Sequence, residues 1–218
     1  MTLATGTYKL VFDMNTGEDP TLTINITETQ EPQWVNPFTD VKADDWFYAD
    51  VEYVHRNGLY TGTTLTTFSP NDPMTRGMIV TVLGRLAGID ADDYSGASFN
   101  DVDTAQYYAP YIKWASMNGI VNGVGDNKFN PDGNISRQDL ATILMRYAQF
   151  KSVTLPNLVP KINFKDAGDI AAYAVSAVDT IQRAGIINGK PGEIFDPLGN
   201  ATRAEVAAML HRYSETIK

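Results

Sequence analysis

Three arginines, Arg76, Arg137 and Arg203, each stand directly after a hydroxyl residue, Thr75, Ser136 and Thr202, where an apolar-periodic stretch begins. A hydroxyl in that place accepts a hydrogen bond from the free amides of a helix's first turn. Each arginine therefore falls against the positive end of the helix dipole, where an exposed cation costs about 0.3–1 kcal/mol. The recurrence asks for a partner. One candidate is a structural carboxylate, from Asp40, Asp101 and Asp166; the other is an anionic ligand sharing the helix N-terminus with the guanidinium fork. The residue types leave both open. A second set, Arg85, Arg146 and Arg212, follows nine residues later at the favourable end of the dipole and needs no special reason.

Other side chains able to do chemistry are fewer. Trp46, Tyr107 and Tyr173 precede apolar-periodic segments, so they either pack there or stack on sugar rings. Glu205 completes a capping box with Thr202; Asp139 with Ser136 is a poorer version, and Met78 with Thr75 is none. The run from Asp126 to Gly133 has a calcium-loop look, but Lys128 and Arg137 occupy the third and twelfth ligand places. His55 and His211 lie in or beside helices with no nucleophile in motif context. Asp44-Asp45 and Asp92-Asp93 read as solvated turns; Asn25, Asn134 and Asn200 open triplets that match a glycosylation acceptor, and the latter two overlap helix caps and read as chance. No enzyme, metal site or cofactor is expected.

The elements that must position these residues repeat. Phe38, Phe99 and Phe164 open three units, with Asp40, Asp101 and Asp166 two places on; Gly58, Gly119 and Gly185 follow 20, 20 and 21 residues after the phenylalanines. From that glycine the spacing is constant: a second glycine at four (Gly62, Gly123, Gly189), a phenylalanine at ten (Phe68, Phe129, Phe195), and the first arginine eight beyond it. A period of about 60 residues marks a repeat protein whose units bury their apolar faces on one another. Within each unit Val51 with Val54, Ile112 with Ala115 and Val178 with Ile181 predict a short amphipathic helix that ends at the first glycine. A turn-rich loop leads through Phe-x-Pro to a second helix. Its core stripe is Ile79, Val82, Leu83 and Leu86, matched by Leu140, Ile143, Leu144 and Tyr147 and by Val206, Met209, Leu210 and Tyr213. The fold class is all-α, with repeats at 38–88, 99–150 and 164–217. Residues 1–31 form a β-hairpin, Thr7 to Asp13 and Thr21 to Thr27 around a turn at Asn15 to Pro20, read as a remnant of an upstream domain or a ribbon on the repeats.

The 218 residues are 43% hydrophobic and 20% charged, enough apolar content for a core. Cysteine is absent, so no disulfide or thiolate site exists. A net charge of −9 excludes a nucleic-acid face, which needs concentrated basic charge, and any anionic partner must be held by local pockets. No stretch reaches the length of a membrane span, and the first 30 residues lack the pattern of a signal peptide, so Met1 reads as the start of a fragment.

Phe-x-Asp-Val, an aromatic, Gly-x-x-x-Gly, Phe-x-Pro and Thr-Arg-Ala-Glu, three times over in residues 38 to 217, resemble the S-layer homology domain. The resemblance implies a pseudo-threefold, three-pronged spindle around a central helix bundle. It also implies non-covalent attachment of an extracellular surface protein to the bacterial cell wall. The implied ligand is secondary cell wall polysaccharide, commonly ending in pyruvylated N-acetylmannosamine, held in grooves between adjacent repeats. By the same resemblance Arg76, Arg137 and Arg203 meet the pyruvyl carboxylate or line its groove. Asp40, Asp101, Asp166, Trp46, Tyr107, Gly62, Gly123 and Gly189 are further groove candidates. The rival expectation is a protein–protein interaction or S-layer self-assembly module with lattice contacts to other surface proteins. Two departures bear on it: repeat one reads Thr75-Arg76-Gly77-Met78 with no acid and a helix-weakening glycine at its start, and repeat three carries a one-residue insertion that puts Ala172 where the aromatic would fall and shifts Tyr173 by one.

Overall fold

The computed structural model describes residues 6–11, 21–26 and 33–217, in two compact units, residues 1–35 and 36–218. The first contains an antiparallel pair, β1 (Gly6–Val11) and β2 (Thr21–Ile26), in the register Gly6↔Ile26 to Val11↔Thr21. The strands begin and end within two residues of the expected ones. The expected turn at Asn15 to Pro20 lies outside the described residues.

The second unit is all-α, as expected. Its helices are α1 (Tyr48–Arg56), α2 (Arg76–Ala87), α3 (Ala109–Met117), α4 (Arg137–Phe150), α5 (Val175–Arg183) and α6 (Arg203–Thr216). Each first helix stops where the sequence places its glycine, and Gly58, Gly119 and Gly185 take left-handed φ values of 63°, 67° and 72°. Thr75, Ser136 and Thr202 are the N-caps of the second helices, each accepting from the amide three residues on. The expected stripes are buried, except that Leu86 is half-exposed; Trp114 is core at 1% exposure.

Helix contacts close a ring. α2 packs on α3, α4 on α5 and α6 on α1, so each repeat's second helix meets the first helix of the next, and the third repeat returns to the first. The segments just before the second helices exchange backbone hydrogen bonds in the same cyclic order. Ile135 N donates to Met74 O (2.9 Å), Ala201 N to Ile135 O (3.1 Å) and Met74 N to Ala201 O (3.0 Å). Met74, Ile135 and Ala201 are fully buried there.

The three interfaces use one geometry with different side chains. Where α6 meets α1, His211 Nδ1 lies 2.8 Å from Asp50 Oδ1 and the His211 ring stacks on Tyr53 at 4.2 Å. Gly77, which the sequence marks as a weak point of α2, has a packing reason. A Cβ there would lie 2.9 Å from Tyr108 Cδ1 and 3.1 Å from Pro131 O. The corresponding place in repeat two holds Gln138, whose Oε1 accepts from Ala171 N at 2.9 Å, and there α5 is capped by the small Ala174 where α3 is capped by Tyr108. Gly77→Ala should therefore lower stability by about 1–2 kcal/mol in urea unfolding, since overpacking of about 1–3 kcal/mol exceeds the helix-propensity gain of about 1 kcal/mol. A raised urea midpoint would show that Tyr108 simply moves aside.

Candidate functional site

Among the described residues the first-turn arginines form no ion pair with Asp40, Asp101 or Asp166. Arg76, Arg137 and Arg203 are 7%, 2% and 5% exposed and reach backbone carbonyls in a different repeat. Arg76 Nε donates to Phe129 O (2.8 Å) and Nη2 to Asn122 O (3.3 Å). Arg137 Nε donates to Phe195 O (2.8 Å) and Nη2 to Asn188 O (3.0 Å). Arg203 Nε donates to Phe68 O (2.7 Å) and Nη2 to Thr61 O (2.7 Å). Each guanidinium also lies over the phenylalanine of that turn, at 4.7 Å for Phe129, 5.4 Å for Phe195 and 4.7 Å for Phe68. Burial lowers all three arginine pKa values, and nearby acids oppose it, Asp139 foremost for Arg76 and Glu205 for Arg137.

The first amides of these helices also have acceptors in a neighbouring repeat. Arg76 N and Gly77 N donate to Gly133 O and Pro131 O, Arg137 N and Gln138 N to Gly199 O and Pro197 O, and Arg203 N and Ala204 N to Asp72 O and Pro70 O. The cap hydroxyl takes the next amide. The positive end of each dipole is thus satisfied by a neighbouring repeat's loop.

The opening aspartates hold those loops. Asp40 accepts from Phe68 N and Ser69 N, both at 2.8 Å. Asp101 accepts from Phe129 N (2.8 Å) and Asn130 N (2.7 Å), and Asp166 from Phe195 N (2.8 Å) and Asp196 N (2.7 Å). Ser69, Asn130 and Asp196 have φ near +58°, a strained conformation for residues with a Cβ, and the carboxylate fixes it. Burial works against the charged form of Asp101 and Asp166, yet the amide hydrogen bonds together outweigh it and hold both carboxyls below the usual range. None of the three aspartates lines the grooves described next.

Three grooves have matching linings. The first, about 310 Å³, is lined by Arg203, Thr61, Gly62, Met78, Arg85 and Tyr107. The second, about 450 Å³, has Arg76, Asn122, Gly123, Asp139, Arg146 and Tyr173 in the corresponding places. The third, about 160 Å³, has Arg137, Asn188, Gly189, Glu205, Arg212 and Trp46. Every groove therefore takes its buried arginine from one repeat, its loop and helix wall from the next, and its exposed aromatic lip from the remaining one. Gly62, Gly123 and Gly189 line the grooves, but a side chain on them is excluded by the opening phenylalanine: a Cβ would lie 2.7, 2.9 and 2.5 Å from Cε1 of Phe38, Phe99 and Phe164.

Two groove features escape the sequence reading. Tyr173 occupies the place of Trp46 and Tyr107, because the insertion is taken up upstream by a short 3-10 helix at Ala167–Asp169. Counting back from the helix-ending glycine gives 12 residues in every repeat and would have aligned it. The terminal arginines Arg85, Arg146 and Arg212 all line the grooves. Arg85 Nη1 donates to Leu59 O (3.1 Å), whereas the guanidinium groups of Arg146 and Arg212 have no hydrogen-bond or ion-pair partner among the described residues. The first-turn arginines are thus largely spent on the fold, and the terminal arginines are the cations with donors to spare. Arg137→Ala should destabilise the chain by about 3–5 kcal/mol, because two buried carbonyls and Glu205 lose their partner. Arg146→Gln should stay within about 0.5 kcal/mol of the parent in the same urea titration. Equal effects would remove this division.

Comparison with known proteins finds three tandem repeats. The S-layer homology domain matches at residues 37–77, 98–141 and 163–207. The chain is 32% identical over 194 residues to an amylopullulanase of Thermoanaerobacterium thermosulfurigenes, covering 88% of this chain and 10% of that protein. It is 28% identical to an S-layer protein of Bacillus thuringiensis subsp. finitimus, over 79% of this chain and 21% of that one. It is 27% identical to a cellulosome-anchoring protein of Acetivibrio thermocellus, over 68% of this chain and 33% of that one. The chain thus spans a third or less of each of these relatives, and by its three matched repeats it belongs to the S-layer homology domain family.

Proposed function

We propose that this chain anchors a bacterial surface protein without a covalent bond, by binding secondary cell wall polysaccharide in its three grooves, with pyruvylated N-acetylmannosamine as the recognised sugar. The family is one of cell-surface modules, and relatives named as S-layer and cellulosome-anchoring proteins support an extracellular, wall-attached role. The observation that carries the reading is the threefold recurrence of one lining: an exposed aromatic lip, a glycine-floored loop and a terminal arginine over a buried one. An aromatic face supports a sugar ring, and a guanidinium pairs with a carboxylate in a planar fork. Local cations of this kind let a chain of net charge −9 hold an anionic glycan.

No catalytic role is assigned to the grooves. They contain no histidine, and their carboxylates Asp139 and Glu205 are each committed to arginine or tyrosine neighbours. Among the described residues no helix is long and apolar enough to cross a membrane, so attachment through the grooves needs no insertion. In this reading residues 1–31 belong to the protein that the repeats carry. Relatives that extend well beyond the repeats favour that view.

Calorimetric titration with the purified polysaccharide, beside the same polymer stripped of pyruvyl groups, tests the proposal. Binding is expected to the first and to be lost with the second. Equal binding to both would remove the carboxylate from the account. Binding to neither, with retention on other surface-layer proteins, would favour the protein-interaction reading.

A further inference from the structure

The three grooves share one scaffold, so the positions at which they differ act as internal controls. The decisive difference is the residue three places after each cap: Met78, Asp139 and Glu205. In the second groove Asp139 Oδ2 lies 3.9 Å from Arg76 Nη1, and Oδ1 accepts the Tyr173 hydroxyl at 2.6 Å. In the third groove Glu205 Oε1 lies 3.2 Å from Arg137 Nη1, and Oε2 accepts from Thr202 N. Both grooves thus carry a built-in anion on the buried arginine, and in the second that anion also ties down the aromatic lip.

The first groove has neither. Its wall presents Met78; Arg203 Nη1 meets the Met74 sulfur at 3.9 Å and the guanidinium lies over the Tyr60 ring at 5.1 Å, with no carboxylate paired to it among the described residues. Tyr107, its lip, is 53% exposed, and its hydroxyl has no hydrogen-bond partner among the described residues. Arg85 stands in the same lining, so two guanidiniums face one cavity with no carboxylate in its wall. The third groove also contains Lys190, but that ammonium is ion-paired with Asp196. Charges behind the walls do not reverse the order. Asp40, Asp101 and Asp166 act on Arg203, Arg76 and Arg137 alike; Asp72 near Arg203 and Asp132 near Tyr107 lie outside the first groove's lining.

We infer that the grooves are graded by charge, and that the first groove, lined by Arg203, Arg85 and Tyr107, is the chain's selective site for a carboxylate-bearing sugar. The second and third grooves, partly neutralised by Asp139 and Glu205, hold the same sugar more weakly. Met78 is the specificity-determining position, because it withholds the anion that the other two supply. Its apolar side chain, with Val82 and Met74, also gives the sugar ring an apolar floor. This inference rests on the polysaccharide reading above and assigns a rank within it.

An amide NMR titration of the full chain tests the ranking. The probe is the methyl glycoside of N-acetylmannosamine carrying a pyruvyl ketal, compared with the methyl ester of that ketal. Amides of the first groove, Gly62, Thr63 and Met78, are expected to move at about tenfold lower concentration than Gly123 or Gly189, as one unit of nearby charge would give. The ester should abolish the order. Met78→Glu, which can also complete a capping box with Thr75, should bring the first groove into line with the others. Saturation of Gly123 or Gly189 first, or an order unchanged by Met78→Glu or by the ester, would overturn the ranking and leave groove binding standing. Absence of shifts in every groove with either compound would overturn the sugar reading and the ranking with it.

Discussion

Each second helix of the repeats begins in the interior, where its first amides and the arginine beside them need acceptors that their own turn cannot supply. The acceptors come from another repeat. Loop carbonyls from the next repeat around the ring take the amides, and the same loops take the arginine through the phenylalanine carbonyl. A cation against a helix N-terminus costs about 0.3–1 kcal/mol, while a hydrogen bond to a charged group contributes about 1.5–3 kcal/mol. Two such bonds and a ring contact per arginine reverse the sign. The opening aspartate completes the arrangement by holding the loop's left-handed residue, so aspartate, turn, carbonyl and arginine form one connected series across every interface.

Closure of this ring is what creates the grooves. A single repeat owns a loop and a helix wall, but its buried arginine and its aromatic lip are lent by the other two. Groove and fold are therefore the same contacts seen from two sides. In the proposed function three grooves on one compact unit suit attachment to a polymer, since linked sites gain from effective concentration without new contacts. Differences among the grooves then come from single side chains on a common frame.

Much of this was legible in the repeat spacing. Helix starts at Thr75, Ser136 and Thr202, the glycine stops and the buried stripes follow from local periodicity and capping, which depend only on neighbours in the chain. What joins the repeats was not legible, because it spans 53, 58 and 135 residues and uses backbone carbonyls, which carry no sequence signature. Residue types alone therefore point the first-turn arginines to carboxylates or ligands, whereas most of their donors go to the main chain. The placing of Arg85, Arg146 and Arg212 in the groove linings is hidden for the converse reason: the helix dipole accounts for a terminal cation so well that a second role leaves no trace. Gly77 read as a flaw until Tyr108, thirty-one residues away, filled the space it leaves.

The cyclic bonds of Met74, Ile135 and Ala201 join the three repeats into one cooperative body, and native-state hydrogen exchange on these three amides tests that joining. All three are expected to exchange only through global unfolding, with one common free energy and one common denaturant slope. Three different opening energies, or exchange of one amide through loss of a single repeat, would contradict it.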